Sequence, residues 1–341
     1  MKENWGLMGN ERAIRVLQAG LATGAANHAY IFAGPEGTGR ATAARRLAQA
    51  LNCTGGELPC GECAPCRRIG SGIHADVQTV TLDAEAEGAA RKAISVEQMR
   101  EVETAVSLAP YEGRTRVVII DPADILSVGA QNAFLKTLEE PPPHAVFVLI
   151  AANDERLLET IRSRCTRVEF RLVPAANIEA ALVARGVEAD RAKLLARLSG
   201  GRPGWAIEAA ADPKLLEHRA EALATARSLA RMSLADRIDL AEKLSDSFKR
   251  EREPVFRQLD QWAGWWRDVL LAQSGAGESI ANLDEAVSIE ADAGEYSRGD
   301  VARFVQAIIG TRGTLSENVQ SRIALDALML HAPRPASAPS R

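Results

Sequence analysis

A glycine-rich segment, residues 34–40, joins a short apolar run to a stretch that predicts a helix. The apolar run begins at His28 and predicts a buried strand. Residues 41–51 are rich in Ala, Leu and Arg and contain no Gly or Pro, which favours a helix. The order of strand, glycine loop and helix is typical of an α/β unit.

The same alternation continues along the first half of the chain. Three further short apolar runs, bounded by turn or charge signals, predict buried strands at residues 77–82, 116–121 and 144–151. Residues 95–108 predict a helix that opens with a Ser-x-x-Gln capping box, and residues 127–140 predict one that stops before three prolines. Strands alternating with helices over residues 1–172 predict a doubly wound parallel sheet.

The second half of the chain predicts helices only. After residue 173 there is no convincing β run, and Ala, Leu, Arg and Glu recur at helical spacing to about residue 330. Glycine and proline at 200–204 and 211–213 indicate breaks. The predicted domains are an α/β core at 1–172, a small helical lid at 173–212, a larger helical domain at 213–330 and a disordered tail at 331–341.

The composition argues against a basic nucleic-acid-binding protein and against a membrane protein. The 341 residues include 41 Lys and Arg against 45 Asp and Glu, a formal charge of −4, so a basic surface for binding nucleic acid everywhere is not expected. No window approaches the roughly 20 apolar residues of a membrane span, and the first residues show no signal-peptide pattern. We therefore expect a soluble, cytoplasmic protein without a membrane partner.

Four of the five cysteines fall within fourteen residues and predict a metal site. They are Cys53, Cys60, Cys63 and Cys66, and the fifth is Cys165. An odd total in a chain without a signal disfavours a disulfide framework. Four thiolates from one loop suit a tetrahedral zinc ion with no open position, so we expect structural Zn²⁺. The alternative is a set of buried or free thiols.

The glycine loop resembles a phosphate-binding loop that has lost two groups. Gly34, Gly37 and Gly39 keep its glycine pattern, but Arg40 stands where a lysine would reach the β- and γ-phosphates. Ala41 replaces the Ser or Thr whose hydroxyl holds Mg²⁺. The residues leave three interpretations open: a degenerate phosphate loop, a working one, and an ordinary glycine turn.

A carboxylate ends one of the predicted strands. Asp121 follows the run at 116–120, at the place of a carboxylate associated with Mg²⁺. The next residue is Pro122, which has no side-chain proton acceptor and leaves the expected general base missing. A strand ending in Asp is a weak signal alone and a moderate one beside the glycine loop.

Several of these segments together resemble a known family. They are the loop at 34–40, the four-cysteine insert, His-Ala-Asp at 74–76, Asp121, Ala-Phe-Leu-Lys-Thr-Leu-Glu-Glu-Pro-Pro at 133–142 and Ile-Arg-Ser-Arg-Cys at 161–165. Their residues and order resemble the AAA+ subunits of bacterial DNA polymerase III clamp loaders. The resemblance is dense over residues 1–172 and thins afterwards. It implies a P-loop-type parallel sheet with a zinc module, then an all-α lid and an all-α collar.

The resemblance also implies a role for the Ser-Arg-Cys motif. In that family the motif presents an arginine finger to ATP on a neighbouring subunit, and Arg164 is the matching residue. A guanidinium aimed at the developing phosphoryl charge stabilises the transition state. Ser163 and Cys165 would support it. Without the resemblance, Arg164 would be an ordinary residue in a helix-to-strand connection, since Arg162 and Arg167 lie beside it.

At three places the chain differs from the family's hydrolysing subunits, and all three concern the binding or hydrolysis of its own nucleotide. Arg40 with Ala41 alters the loop, and Pro122 replaces the glutamate. Gly204 stands where tau/gamma subunits carry a lid arginine, and Arg202 is offset from that position. With Arg164 kept, this pattern implies a subunit without ATPase activity of its own that serves a neighbour's ATP. Whether ATP still binds is left open.

The resemblance implies partners as well. They are tau/gamma-like and delta-like clamp-loader subunits in a hetero-pentamer of the DNA polymerase III holoenzyme, with the sliding clamp and primed DNA reached through the complex during DNA replication. Two alternatives remain: a catalytically active tau/gamma-like ATPase, and a stand-alone zinc-dependent module that binds nucleic acid.

Three tryptophans lie at helical spacing in the second half of the chain. Trp262, Trp265 and Trp266 occupy positions i, i+3 and i+4, so they share one face of a helix. That face suits the core of a helical bundle or a subunit interface, and the sequence leaves both open.

Overall fold

Strands and helices alternate in the first half of the molecule, as predicted. The computed structural model describes residues 3–24, 26–82, 93–316 and 320–335. Its strands are β1 Ala29–Ala33, β2 Val77–Val80, β3 Arg116–Ile120, β4 Ala145–Ala151 and β5 Thr166–Glu169. They form one parallel sheet in the order β2-β3-β4-β1-β5. The predicted parallel sheet is confirmed.

The helices of this half are α1 Glu11–Ala22, α2 Arg40–Asn52, α3 Ala64–Gly70, α4 Val96–Ser107, α5 Val128–Glu139 and α6 Glu159–Arg162. Two of them, α4 and α5, begin at side-chain caps. The Ser95 side chain accepts a hydrogen bond from the backbone N–H of Gln98, and the Gln98 side chain accepts one from the N–H of Ser95. This is the predicted capping box. Ser127 caps α5 through the N–H of Ala130.

Alternate residues of the central strands enter two apolar cores, one on each face of the sheet. In β1, Ile31 packs with the residues of α4 and α5, whereas Tyr30 and Phe32 pack with those of α1 and α2. On the first face the rings of Phe134 and Phe147 meet edge to face, with centroids 5.1 Å apart. Burial on both faces explains why these strands read as continuous apolar runs.

Strand β5 was not among the strands predicted from apolar runs, although Arg164 was placed in a helix-to-strand connection. Its residues are Thr-Arg-Val-Glu, of which only Val168 is apolar and buried, so it lacks the continuous apolar run of the central strands β1, β3 and β4. It pairs with β1 alone, at the edge of the sheet. An edge strand needs fewer apolar residues because less of its surface is covered.

The rest of the described chain is helical, with short 3₁₀ turns. Its helices are α7 Ala175–Val183, α8 Ala189–Leu198, α9 Pro203–Ala211, α10 Lys214–Leu229, α11 Leu234–Arg250, α12 Arg252–Gln273, α13 Ala286–Glu295, α14 Arg298–Ser316 and α15 Ser321–Leu330. The predicted helical character is confirmed. None of the helices in the described residues is long and apolar enough to span a bilayer.

The chain divides into two compact units. One comprises residues 1–181 with 201–205, and the other residues 182–200 with 206–341. The division at 172, 212 and 330 expected from the sequence stays a prediction. Of the expected disordered tail, Ala332 is buried and Pro335 forms an isolated bridge with Tyr296, while residues 336–341 lie outside the described part of the chain.

The three tryptophans of α12 lie in the core of the second unit. Trp262, Trp265 and Trp266 are each 0% exposed. The indole N–H of Trp262 donates to the carbonyl of Ala222 at 3.0 Å, and that of Trp265 donates to the Asp292 carboxylate at 3.1 Å. Of the two readings left open by the sequence, the structure places this face inside the helical bundle.

A buried carboxylate organises the loop between α4 and β3. The Asp76 side chain is fully buried and accepts hydrogen bonds from the backbone N–H groups of Tyr111, Glu112 and Gly113 at 2.7–2.9 Å. Burial alone would raise the pKa of Asp76, but these three donors, with the charge of Arg116, hold the pKa below its ordinary value. The ionised carboxylate therefore stabilises the folded loop.

Replacing Asp76 with asparagine is expected to lower the free energy of unfolding by about 2–4 kcal/mol at pH 7, because Asn turns an NH₂ group towards backbone donors. The folded pKa is depressed, so this stabilisation is present above the ordinary value of 3.8 and is lost as the pH falls through the folded pKa. Urea unfolding of both proteins at pH 7, 5, 4 and 3 measures the difference. The difference in free energy of unfolding should shrink below pH 4. A difference that stays constant with pH would contradict this role of Asp76. Glu101→Gln, which changes an exposed carboxylate on α4, is the control.

Candidate functional site

The glycine loop lies where the parallel strands end. It follows β1 and precedes α2, and Asp121 follows β3, so both stand at the carboxyl edge of the sheet. Gly34 has φ +139°, and a Cβ there would lie 2.0 Å from the carbonyl oxygen of Phe170. The end of β5 therefore passes too close for any residue but glycine. Gly37 and Gly39, at φ +73° and +97°, also take the left-handed conformation.

Arg40 is buried at the start of α2. Its residue is 7% exposed, and its Nη1 has no hydrogen-bond partner among the described residues. Burial lowers the pKa of Arg40, and the charge of Asp121 opposes that effect. Burial likewise raises the pKa of Asp121, opposed by Arg40. Of the predicted residues, Arg40 and Asp121 thus lie close enough for their charges to interact.

The segment at 201–204 contacts the glycine loop directly. The N–H of Gly204 donates to the carbonyl of Gly37 at 2.9 Å. A Cβ at Gly204 would lie 3.1 Å from that carbonyl oxygen, and one at Gly37 would lie 3.1 Å from the Cβ of Arg202. A side chain at position 204 would therefore crowd the loop, whose backbone would have to shift by a few tenths of an ångström to admit it.

The four clustered cysteines converge in space. Cys53 follows α2, Cys63 caps α3 and Cys66 lies within α3. All four sulfurs lie within 4.8 Å of one another, and the pairs Cys60–Cys66 and Cys53–Cys63 are both 3.9 Å apart. Sulfurs at 2.3 Å from a tetrahedral zinc would be about 3.8 Å apart. The cluster could therefore hold a metal ion of that size and geometry.

Backbone N–H groups point at the sulfurs of this cluster. Cys53 Sγ accepts from Gly55 at 3.4 Å and from Cys60 at 3.5 Å. Cys60 Sγ accepts from the N–H of Glu62 at 3.4 Å and of Cys63 at 3.3 Å. The donors of Cys63 and Glu62 lower the pKa of Cys60. Donors aimed at sulfur favour the thiolate, which is the form that binds a metal.

Two polar side chains attach the cluster to the sheet domain. Gln49 of α2 donates from its amide to the carbonyl of Cys66 at 2.6 Å. The guanidinium of Arg114 donates to the carbonyl of Cys53. The loop that carries the cysteines is thus held to α2 and to the segment before β3.

Arg164 lies at the opposite edge of the sheet from the glycine loop. It follows α6 and precedes Thr166, the first residue of β5, so it stands at the amino ends of the strands. Its side chain is 36% exposed. Nη1 donates to the carbonyl of Thr160 at 2.9 Å, and Nη2 donates to the Glu139 carboxylate at 2.7 Å. The guanidinium is therefore accessible and held on two sides.

The neighbours of Arg164 in the motif anchor the chain. The Ser163 hydroxyl donates to the carbonyl of Thr160 at 3.1 Å. Cys165 packs against the apolar core on the α5 face of the sheet. Burial raises the pKa of the Cys165 thiol to about 12, so it stays protonated and acts as a small apolar side chain.

Glu139 had no predicted role, although it lies in the segment 133–142 that carries the family resemblance. Its position at the end of a predicted helix could have indicated a nearby cation, because a carboxylate is unfavourable at a helix C-terminus. Gln131 was also missed. Its amide oxygen accepts from the N–H of Leu158 at 2.7 Å and ties α5 to the start of α6. Neither contact follows from local sequence, because each joins residues at least 25 positions apart.

Comparison with known proteins gives relatives of two kinds. Residues 9–174 match the family model described as DNA polymerase III, delta subunit. The gamma/tau subunit of DNA polymerase III from Mycobacterium tuberculosis is 37% identical over 206 residues, which are 58% of this chain and 34% of that protein. The delta-prime subunit from Bacillus subtilis is 29% identical over 320 residues, 94% of each chain.

A solved structure is also similar. The gamma subunit-related protein of Thermotoga maritima superposes with a TM-score of 0.37 at 16% identity, covering 93% of this chain and 98% of that one.

A glycine loop after β1, a carboxylate after β3 and a parallel sheet followed by helices define a P-loop-type α/β protein of the AAA+ class. Together with the delta-prime similarity along nearly the whole chain, they place it more narrowly. Over residues 9–174 for the family model, and along nearly the whole chain for the delta-prime subunit, the chain is similar to the clamp-loader subunits of DNA polymerase III. It spans about a third of the length of the gamma/tau relatives it matches.

Proposed function

We propose that this chain is a delta-prime-type clamp-loader subunit that does not hydrolyse ATP and donates Arg164 to the ATP site of a neighbouring tau/gamma-like subunit. The observation that carries the proposal is the position of Arg164. The carboxyl and amino edges of the sheet are about 13 Å apart along β1, Ala29–Ala33, because a parallel strand rises about 3.3 Å per residue. Arg164 is therefore out of reach of its own glycine loop, so any nucleotide that it serves would be held by another chain.

The chain's own loop lacks the groups that hydrolysis needs. Ala41 offers no hydroxyl for Mg²⁺, and Pro122 offers no base to activate water. Arg40 sits buried in the loop with Asp121 as its main opposite charge, and Gly204 contacts the backbone of Gly37. We interpret Gly34, Gly37, Gly39, Arg40 and Asp121 as a vestigial nucleotide site.

Partners follow from the relatives. The delta-prime subunit that this chain resembles belongs to DNA polymerase III, so we propose assembly with tau/gamma-like and delta-like subunits in a cytoplasmic hetero-pentamer. That complex would act on the sliding clamp and primed DNA during replication. The cysteine cluster would hold a structural Zn²⁺, because four thiolates leave no position for substrate.

A second candidate is a tau/gamma-like ATPase. It is favoured by the higher identity to gamma/tau, 37% over 206 residues, which are 58% of the chain. It is disfavoured by the three substitutions at the loop, at Pro122 and at Gly204.

An ATPase assay on the purified chain separates the two candidates. We expect no Mg²⁺-dependent ATP hydrolysis above that of a buffer control, since the hydroxyl and the base are both missing. The variant Arg40→Lys/Ala41→Thr restores the loop groups but keeps Pro122, so it too should not turn over ATP. Hydrolysis by the unaltered chain that disappears in Arg40→Ala would contradict the proposal and favour the ATPase.

A further inference from the structure

Glu139 occupies a place that is unfavourable for its own helix. It is the last residue of α5, and Glu140 follows as the C-cap. The C-terminus of a helix carries partial negative charge, so a carboxylate there is disfavoured unless a cation outside the helix compensates it. Arg164 is that cation, with Nη2 at 2.7 Å from Glu139 Oε1.

Two acceptors fix the orientation of the Arg164 guanidinium. Glu139 takes one terminal nitrogen and the carbonyl of Thr160 takes the other, at 2.9 Å. A planar fork held at both terminal nitrogens cannot rotate freely about its last bonds. Its remaining N–H donors stay available, since an arginine has five and each of these contacts uses one.

The carboxylate itself stands on a rigid support. Leu138 is 2% exposed and Phe134 is 0% exposed, so the last turns of α5 are fixed in the core. At the other end of α5, buried Gln131 holds the start of α6 through the N–H of Leu158. The helix that carries Glu139 and the short helix that leads to Arg164 are therefore tied together at both ends.

We propose that Glu139 is a positioning residue for Arg164: its carboxylate holds the guanidinium in the orientation in which it is offered to the neighbour's nucleotide. This inference rests on the proposed function of Arg164. Glu139 touches no nucleotide and acts only through the arginine. Holding the side chain in advance removes part of the entropy that ordering it would cost when the neighbour's phosphate arrives.

An ordinary surface ion pair predicts something different. The Glu139 side chain is 51% exposed, and pairs at such sites contribute little to folding. If the pair were only structural, its loss would leave turnover by the complex unchanged. If Glu139 positions Arg164, its loss lowers turnover although the protein stays as stable as before.

The test uses the reconstituted clamp-loader complex with ATP, clamp and primed DNA. Glu139→Ala is expected to lose roughly half or more of the ATP turnover that Arg164→Ala loses, with the KM for ATP unchanged within about twofold. The melting temperature of the isolated subunit should shift by no more than about 2 °C. Glu139→Gln keeps an acceptor oxygen and should retain more activity than Glu139→Ala. Glu140→Ala, the adjacent carboxylate, is the matched control and should behave as the unaltered protein.

The double variant gives the sharpest readout. If Glu139 acts through Arg164, Glu139→Ala has no further effect once Arg164→Ala is present. An equal loss in both backgrounds, or turnover in Glu139→Ala equal to or above that of the unaltered complex, overturns the inference while the proposed function stands. Unchanged turnover in Arg164→Ala alone overturns the proposed function, and the inference with it.

Discussion

Replacing Arg164 with alanine is expected to lower ATP hydrolysis about 10³–10⁵-fold at the nucleotide site that this subunit completes. The phosphoryl group carries its developing charge on oxygens that a guanidinium from the neighbouring chain can reach, and alanine leaves that charge without a donor. In a complex with several ATP sites, turnover at the others continues, so pre-steady-state hydrolysis resolves the lost site better than the steady-state rate. The complex should still assemble, which gel filtration of the reconstituted subunits measures.

Control variants separate a positioned arginine from a general positive charge. Arg164→Lys keeps the charge but loses the planar fork, so we expect it to recover only part of the activity. Arg162→Ala removes an exposed arginine from the same segment and should leave hydrolysis unchanged. Equal losses in Arg162→Ala and Arg164→Ala would show that the local charge matters and no particular residue does, and would contradict the finger.

The central strands that the sequence predicts are the ones whose burial is visible in their composition. All seven residues of β4 and all five of β1 are buried, so an apolar run identifies each. The expectation of a buried strand at 77–82 was wrong in its burial, since Val80 is the one buried residue of β2. β5 was not predicted because its one apolar residue, Val168, stands between a charged arginine and a charged glutamate. Strand order was not predicted either, since it depends on contacts such as that between Tyr30 and Thr166, which local pattern does not encode.

Some features of the candidate sites could likewise be predicted from the sequence, and others could not. The four cysteines converge within one short loop, so their spacing alone predicted the cluster that the structure shows. The sequence shows that Arg40 and Gly204 differ from the family pattern. The burial of Arg40 and the contact of Gly204 with Gly37 could not be predicted, because they depend on chain segments that meet only in the folded protein. The Glu139 contact is of this second kind.

Removing the metal from the cysteine cluster is expected to have the largest effect on stability. A ligand at a hundredfold its Kd stabilises a protein by about 2.7 kcal/mol, and structural zinc binds far more tightly than that condition requires. We therefore expect one zinc per chain and a loss of at least about 3 kcal/mol in the free energy of unfolding when it is chelated. Elemental analysis and urea unfolding with and without chelator measure both quantities.

The fifth cysteine provides the matched control. Cys63→Ser removes one ligand and should abolish stoichiometric zinc binding, whereas Cys165→Ser, outside the cluster, should retain one zinc per chain. Equal zinc content in the two variants would contradict the assignment. The expected effect is large because residues 54–57 are all exposed and bring no apolar core of their own. With so little surface to bury, this loop is expected to depend for its shape on the four sulfurs and on the ion that they would hold.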